Sequence, residues 1–148
     1  MAANTISQMP DIIPATDMPD IRYYCAGDNG SGKWLTVKTN NMNTISAIVY
    51  KTMETIYNGL EGAAPIGGIN TAVGGKKMAD YMGVCQYSTE GGDLYNSRIT
   101  PITHIPVKGH FWYQGESDTR NTDFVNDYSQ KCSVFIVHLH RAANFAQG

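Results

Sequence analysis

Charge is scarce in this 148-residue chain: 16% of its residues are Asp, Glu, Lys or Arg, and 13 acidic side chains face 11 basic ones. A formal net charge of −2 leaves no electrostatic footprint for nucleic acid or an anionic membrane, so neither is expected as a partner. No apolar run approaches the roughly 18 residues that a membrane-spanning helix needs. Cysteine is limited to Cys25, Cys85 and Cys132, an odd and widely spaced set. Such a set excludes a disulfide framework and lacks zinc-ligand spacing, and it suits reduced, mostly buried thiols. The opening MAANTISQMPDIIPATDMP has no basic region followed by an apolar stretch, so no signal peptide is read there. Cytoplasmic residence is the default, and a secreted parent trimmed of its leader reads the same.

What is present is a globular balance. Hydrophobic residues make up 42% of the chain, enough for one domain with a core and too little length for two comfortable ones. Residues 1–20 carry Pro10, Pro14 and Pro19 and read as an irregular, surface-running lead-in. DIRYYCA is a strand candidate with aromatic weight. From Thr44 the apolar period becomes helical, through Ile45, Ile48, Val49, Ile56, Tyr57 and Leu60. Asn40, Asn41 and Asn43 offer N-cap chemistry and Asn58-Gly59 a stop. A short buried strand is expected around Ile66–Ile69, a short helix in KKMADYMGV, and the strongest strand in VKGHFWYQ. Phe124, Val125, Tyr128, Cys132, Phe135, Ile136 and Leu139 mark a final helical face. Alternating strands and helices predict an α/β fold with a parallel sheet.

AGDNGSGKW, residues 26–34, mimics a phosphate-binding loop. A working loop places a hydroxyl after its lysine to hold magnesium, and then starts a helix. Here Trp34 follows Lys33, and WLTVKTNN carries β-branched and turn residues. The stretch reads instead as a turn feeding Trp34 toward the core.

The chemistry concentrates in GHFWYQGESDT, residues 109–119. In an open parallel sheet, ligands bind past the carboxyl ends of strands, where Gln114, Glu116, Ser117 and Asp118 would lie. Ser117 partly fits a nucleophile elbow, but Thr119 stands where the second glycine of that motif belongs. A turn or N-cap serine is the simpler reading. His138 and His140 would share a face on a strand. On a helix they lie about 200° apart, which argues against a metal site.

HFWYQGESDT resembles the signature of the sialate O-acetylesterase and carbohydrate acetylesterase group of the SGNH hydrolases, W-Y-Q-G-E-S-[DN]. PIGGINTAVGGKKMADYM and DLYNSRITPI are similar, in the same order, to two further segments of that family. The resemblance implies a three-layer, flavodoxin-like SGNH fold, a parallel sheet flanked by helices, incomplete here and spanning residues 21–148. It implies no cofactor and an acetylated carbohydrate as substrate. Such enzymes use a serine nucleophile, a histidine base and an aspartate. Their oxyanion hole combines the nucleophile's amide, a glycine amide and a side-chain amide. The glycine maps to the Gly74-Gly75 pair and the side-chain donor to Gln114. Trp112, Tyr113, Glu116, Ser117 and Asp118 map to substrate-binding or structural positions around it. One fixed donor to a developing oxyanion is worth about 3 kcal/mol of barrier.

The family's G-Q-S-N nucleophile block and its late D-x-x-H segment have no counterpart in the sequence. Ser7 in TISQMP is the weak nucleophile candidate, with no apolar strand before it. His104 and His110 precede the Gln-Gly-Glu-Ser block and align with no base. The chain reads as a fragment or as a degenerate domain. A sheet lacking its nucleophile-bearing strand would expose an unpaired edge and invite association with another chain. The rival expectation is a catalytically inactive glycan-binding or structural module on the same fold.

Overall fold

Strand β1 (Met18–Cys25) is the centre of a three-stranded sheet of order β2-β1-β3. This architecture comes from a computed structural model describing residues 5–27, 32–85, 91–119 and 128–144, with side chains through residue 137 in the last span. Two compact units divide the chain, the first ending at Gly74 and the second running from Gly75 onward.

In the first unit, β2 (Trp34–Val37) pairs antiparallel with β1, from Met18 opposite Val37 to Tyr24 opposite Trp34. Strand β3 (Ile66–Asn70) pairs parallel with β1, from Ile21 opposite Ile66 to Cys25 opposite Asn70. A parallel neighbour requires a crossover, and helix α1 (Ala47–Gly59) supplies it. The helix packs on β3 at Gly68, where an added Cβ would lie only 2.9 Å from Val49 Cγ1 and would also collide with Met53. Glycine there lets the helix approach the sheet closely. The core gathers Ile6, Ile21, Tyr23, Val37, Met42, Ile45, Tyr50 and Met53.

Several local expectations shift. The lead-in does not merely run over the surface. Ile6 is fully buried in a 3₁₀ turn (Ile6–Gln8), and its N–H donates to Ile45 O at 3.0 Å. The N-cap of α1 is Ser46 rather than one of the asparagines. The buried stripe of α1 is Ala47, Tyr50 and Met53, while Ile48, Ile56 and Leu60 are exposed. Tyr50 wins because its phenol reaches Glu54 Oε1 at 2.6 Å, so the whole ring can go inside without an unsatisfied hydroxyl. Trp34 does not enter the core. It is 45% exposed on β2 and leans on Tyr24, with ring centroids 5.3 Å apart. Residues 28–31 of the glycine-rich turn lie outside the described residues.

In the second unit, a 3₁₀ turn (Met78–Tyr81) replaces the expected short helix. A π-helical turn (Tyr95–Ile99) and a 3₁₀ turn (Thr100–Ile102) follow, and helix α2 (Tyr128–Asn144) ends the described chain. Phe124 and Val125, expected on that helix, lie outside the described residues. The strand expected in VKGHFWYQ is absent. Residues 111–114 keep alternating burial, with Phe111 79% and Tyr113 64% exposed against half-buried Trp112 and Gln114. No neighbouring strand bonds their backbone among the described residues. Alternation alone makes no strand without a ladder partner.

The three cysteines are free thiols, as expected, but they are not buried: Cys25 is exposed and the other two are half-buried. Cys25 ends β1 on the face opposite buried Tyr24. Among the described residues no helix is long and apolar enough to cross a membrane.

Candidate active site

Past residue 114 the chain makes a tight turn. Gly115, at φ +150°, opens it; its carbonyl accepts the N–H groups of Asp118 and Thr119, both at 3.0 Å. Thr119 Oγ1 closes the turn by donating to Glu116 O at 3.0 Å. The turn drives Asp118 inward, leaving it 2% exposed. A buried carboxylate needs donors. Asp118 Oδ2 receives the Met78 N–H at 3.0 Å, the first amide of the 3₁₀ turn, and a second bond from Gln114 Nε2.

Gln114 is the hub of the second unit. Its Nε2 also donates to Lys76 O at 3.1 Å. From helix α2, the Tyr128 hydroxyl reaches Gln114 O at 2.7 Å and Gln114 Oε1 at 3.0 Å. The amide orientation follows from this network: two obligate acceptors, a carbonyl and a carboxylate, face the NH₂ group, and a hydroxyl donor faces the oxygen. Burial pushes the Tyr128 phenol above its ordinary pKa, with Trp112 pulling the other way, so the hydroxyl is a donor at neutral pH.

Gly75 lies one residue before Lys76. Its φ of +74° is the left-handed region that favours glycine, and a Cβ there would meet nothing within 4 Å. The space around Gly74 is equally open. Open backbone of this kind admits a substrate atom. The Gln114 amide donates to the carbonyl of Lys76, the residue that follows Gly75.

The remaining candidates divide. Trp112 stacks between Tyr81, at 5.3 Å and nearly perpendicular, and Phe135, at 4.3 Å. It also lines a small cavity of about 270 Å³ with His110, Cys132, Phe135 and Ile136. Tyr113 and Glu116 are exposed, and Ser117 is half-buried in the turn. The Asp118 carboxylate is enclosed. Ser7, in the first unit, is exposed, and its Oγ lies 3.0 Å from Thr5 Oγ1. That neighbour is a hydroxyl and not a base.

His104 sits exposed in a turn. Residues 138 and 140 fall on α2, the helical one of the two cases weighed for them. No group of three or more His, Cys, Asp or Glu among the described residues is placed to hold a metal ion. Sequence reasoning missed Tyr128, which it treated only as part of an apolar stripe. A tyrosine within such a stripe carries a hydroxyl that must find a partner, and that was the available signal.

Comparison with known proteins agrees with the motif reading. A family model for carbohydrate esterase, sialic acid-specific acetylesterase, matches residues 36–147. No curated protein matches the chain. Among solved structures, the chain is similar to a carbohydrate acetylesterase from Xanthomonas citri, with 21% identity and a TM-score of 0.80. The likeness covers 94% of this chain and 34% of that enzyme. At that identity it speaks for a shared fold, an incomplete SGNH-like α/β arrangement, and the chain spans about a third of the enzyme's length. The match over residues 36–147 establishes that this chain belongs to the carbohydrate esterase family of sialic acid-specific acetylesterases.

Proposed function

We propose that the chain serves hydrolysis of acetyl esters on a carbohydrate, with Gln114 and the Gly74-Gly75 backbone supplying oxyanion donors. The observation that carries this reading is the family match, which spans all three residues. The open, left-handed backbone at Gly75 supports it, because an oxyanion can reach an amide that no side chain covers. Fixed neutral donors stabilise the charge of a tetrahedral intermediate without reorganising during the reaction.

In the resting arrangement both Gln114 N–H groups are engaged, by Lys76 O and by Asp118. Substrate must therefore displace one of these acceptors or share a proton with it. The Lys76 carbonyl, at 3.1 Å, is the weaker competitor and the one next to Gly75. The sequence holds no G-Q-S-N block and no D-x-x-H segment. On this reading, therefore, the serine and the aspartate–histidine pair do not come from recognisable motifs of these 148 residues, and turnover by the chain alone is slow. Ser7 would be nucleophilic only if a base reached it. Trp112, Tyr113, Glu116 and Ser117 would contact sugar at the rim, and Asp118 would hold Gln114 from below.

A second reading has its own support. The saturation of Gln114 and the burial of Asp118 also suit a catalytically inactive module that binds a glycan or another chain. An assay on an aryl acetate separates the two. Loss of one oxyanion donor lowers turnover by about 10²–10³. A rate that falls this far in Gln114→Ala supports the esterase reading. A robust rate unaffected by that substitution overturns the oxyanion assignment. Glycan binding without any hydrolysis favours the module.

A further inference from the structure

We infer that Tyr128 is the positioning residue for the Gln114 carboxamide. The inference rests on the reading of Gln114 as an oxyanion donor for its functional meaning, though not for its geometry. A glutamine has three side-chain torsions, and fixing them costs conformational entropy. A donor that wanders over three rotamers stabilises no charge at a fixed point. Something must hold it.

Three groups touch the amide, and they act differently. Lys76 O and Asp118 Oδ2 accept from Nε2 and decide which way the NH₂ faces. Both act from the nitrogen end of the planar group. Tyr128 acts from the oxygen end: its hydroxyl lies 2.7 Å from the backbone oxygen of Gln114 and 3.0 Å from the side-chain oxygen of the same residue. The single hydroxyl proton is shared between these two acceptors, and the ring stands on the first residue of helix α2, seventeen residues long. Groups carried on helices are held more precisely than groups on loops, so the loop residue takes its orientation from the helix. Tyr128 touches no reacting atom in this scheme; it acts through Gln114.

The hydroxyl is the part that matters, so Tyr128→Phe is the informative variant. Isotope-edited NMR of the full chain reads the Gln114 side-chain NH₂ pair, assigned by its disappearance in Gln114→Ala. In the wild type the two protons are expected to be well separated in shift and protected from solvent exchange. In Tyr128→Phe the pair should converge toward free-glutamine shifts and exchange about five- to tenfold faster, the factor one neutral hydrogen bond is worth. The backbone amides of α2 should stay in place. An unchanged NH₂ pair in a folded Tyr128→Phe protein overturns the inference.

Should that variant fail to fold, the wild type decides. A slowly exchanging Tyr128 hydroxyl proton with a cross-relaxation contact to the Gln114 carboxamide supports the inference, and a rapidly exchanging hydroxyl without that contact overturns it. The two readings fail separately. Aryl-acetate turnover insensitive to Gln114→Ala removes the donor role and leaves the spectra to decide on Tyr128. Sensitive turnover with unmoved spectra removes only Tyr128.

Discussion

The N–H of Met78 donates to the carboxylate of Asp118 at 3.0 Å across forty positions of sequence. That bond ties the QGESD turn to the segment that follows the paired glycines. Because Asp118 is enclosed and its Oδ1 has no partner among the described residues, this carboxylate has little freedom to adapt.

Asp118→Asn should therefore destabilise the protein. An asparagine keeps the shape, and its single oxygen can take the place of Oδ2 and accept from both Met78 N–H and Gln114 Nε2. Its NH₂ group then stands at the Oδ1 position, buried and with no acceptor among the described residues, at a cost of about 1–3 kcal/mol. Urea unfolding followed by circular dichroism measures it. An unchanged midpoint would show that the carboxylate is dispensable to the fold.

The paired glycines should separate cleanly under alanine substitution. A Cβ on either meets nothing within 4 Å, so crowding is not at issue. Gly75 holds φ +74°, and Gly75→Ala is expected to cost about 1–2 kcal/mol through backbone strain alone. Gly74→Ala should lie within about 0.5 kcal/mol of the wild type, as surface substitutions usually do. Equal losses in both variants would contradict the backbone explanation.

Gly68→Ala tests the opposite mechanism. Its methyl would overlap Met53 Sδ and lie 2.9 Å from Val49 Cγ1, and Met53 is itself buried. Helix α1 must move away from β3 or strain its side chains, at a cost of about 1–3 kcal/mol. The loss should appear as a lower unfolding midpoint with α1 still formed.

Alkaline stability should depend on Tyr50. Burial first, then the bond to Glu54 and its charge, raise the phenol far above its ordinary value of 10.0. The unfolded chain releases this proton near pH 10 while the folded protein keeps it. The stabilisation is thus complete below about pH 10 and is lost as pH rises toward the folded pKa. In Tyr50→Phe the fall of unfolding free energy between about pH 9 and pH 11 should be shallower. Burial raises Tyr23 and Tyr128 in the same direction, so the slope is reduced rather than removed. Identical slopes in wild type and variant would contradict the account.

Local pattern was a reliable guide wherever an element satisfies its own needs. DIRYYCA, the run from Thr44 and the short segment at Ile66 became β1, α1 and β3, because period and composition encode the type of element, although α1 turns Ala47, Tyr50 and Met53 inward rather than the expected stripe. Pattern misled where partners decide. VKGHFWYQ has the composition and alternation of a strand, but its backbone has no ladder neighbour among the described residues, and strand structure belongs to pairs. Trp34 has the bulk of a core residue, yet it stands half-open on a strand face beside Tyr24 and Gly67.

By itself the sequence determined the family and the short list of candidate groups, since the WYQGESD block and its collinear companions survive as chemistry read one residue after another. Tertiary structure alone decided what those groups do to each other. It enclosed Asp118, turned the Gln114 amide onto Lys76 and Asp118, and set the Tyr128 hydroxyl against its oxygen. A hydrogen bond between residues 14 or 40 positions apart leaves no periodic trace in the chain, because its distance and direction exist only once the elements bearing the two atoms have packed.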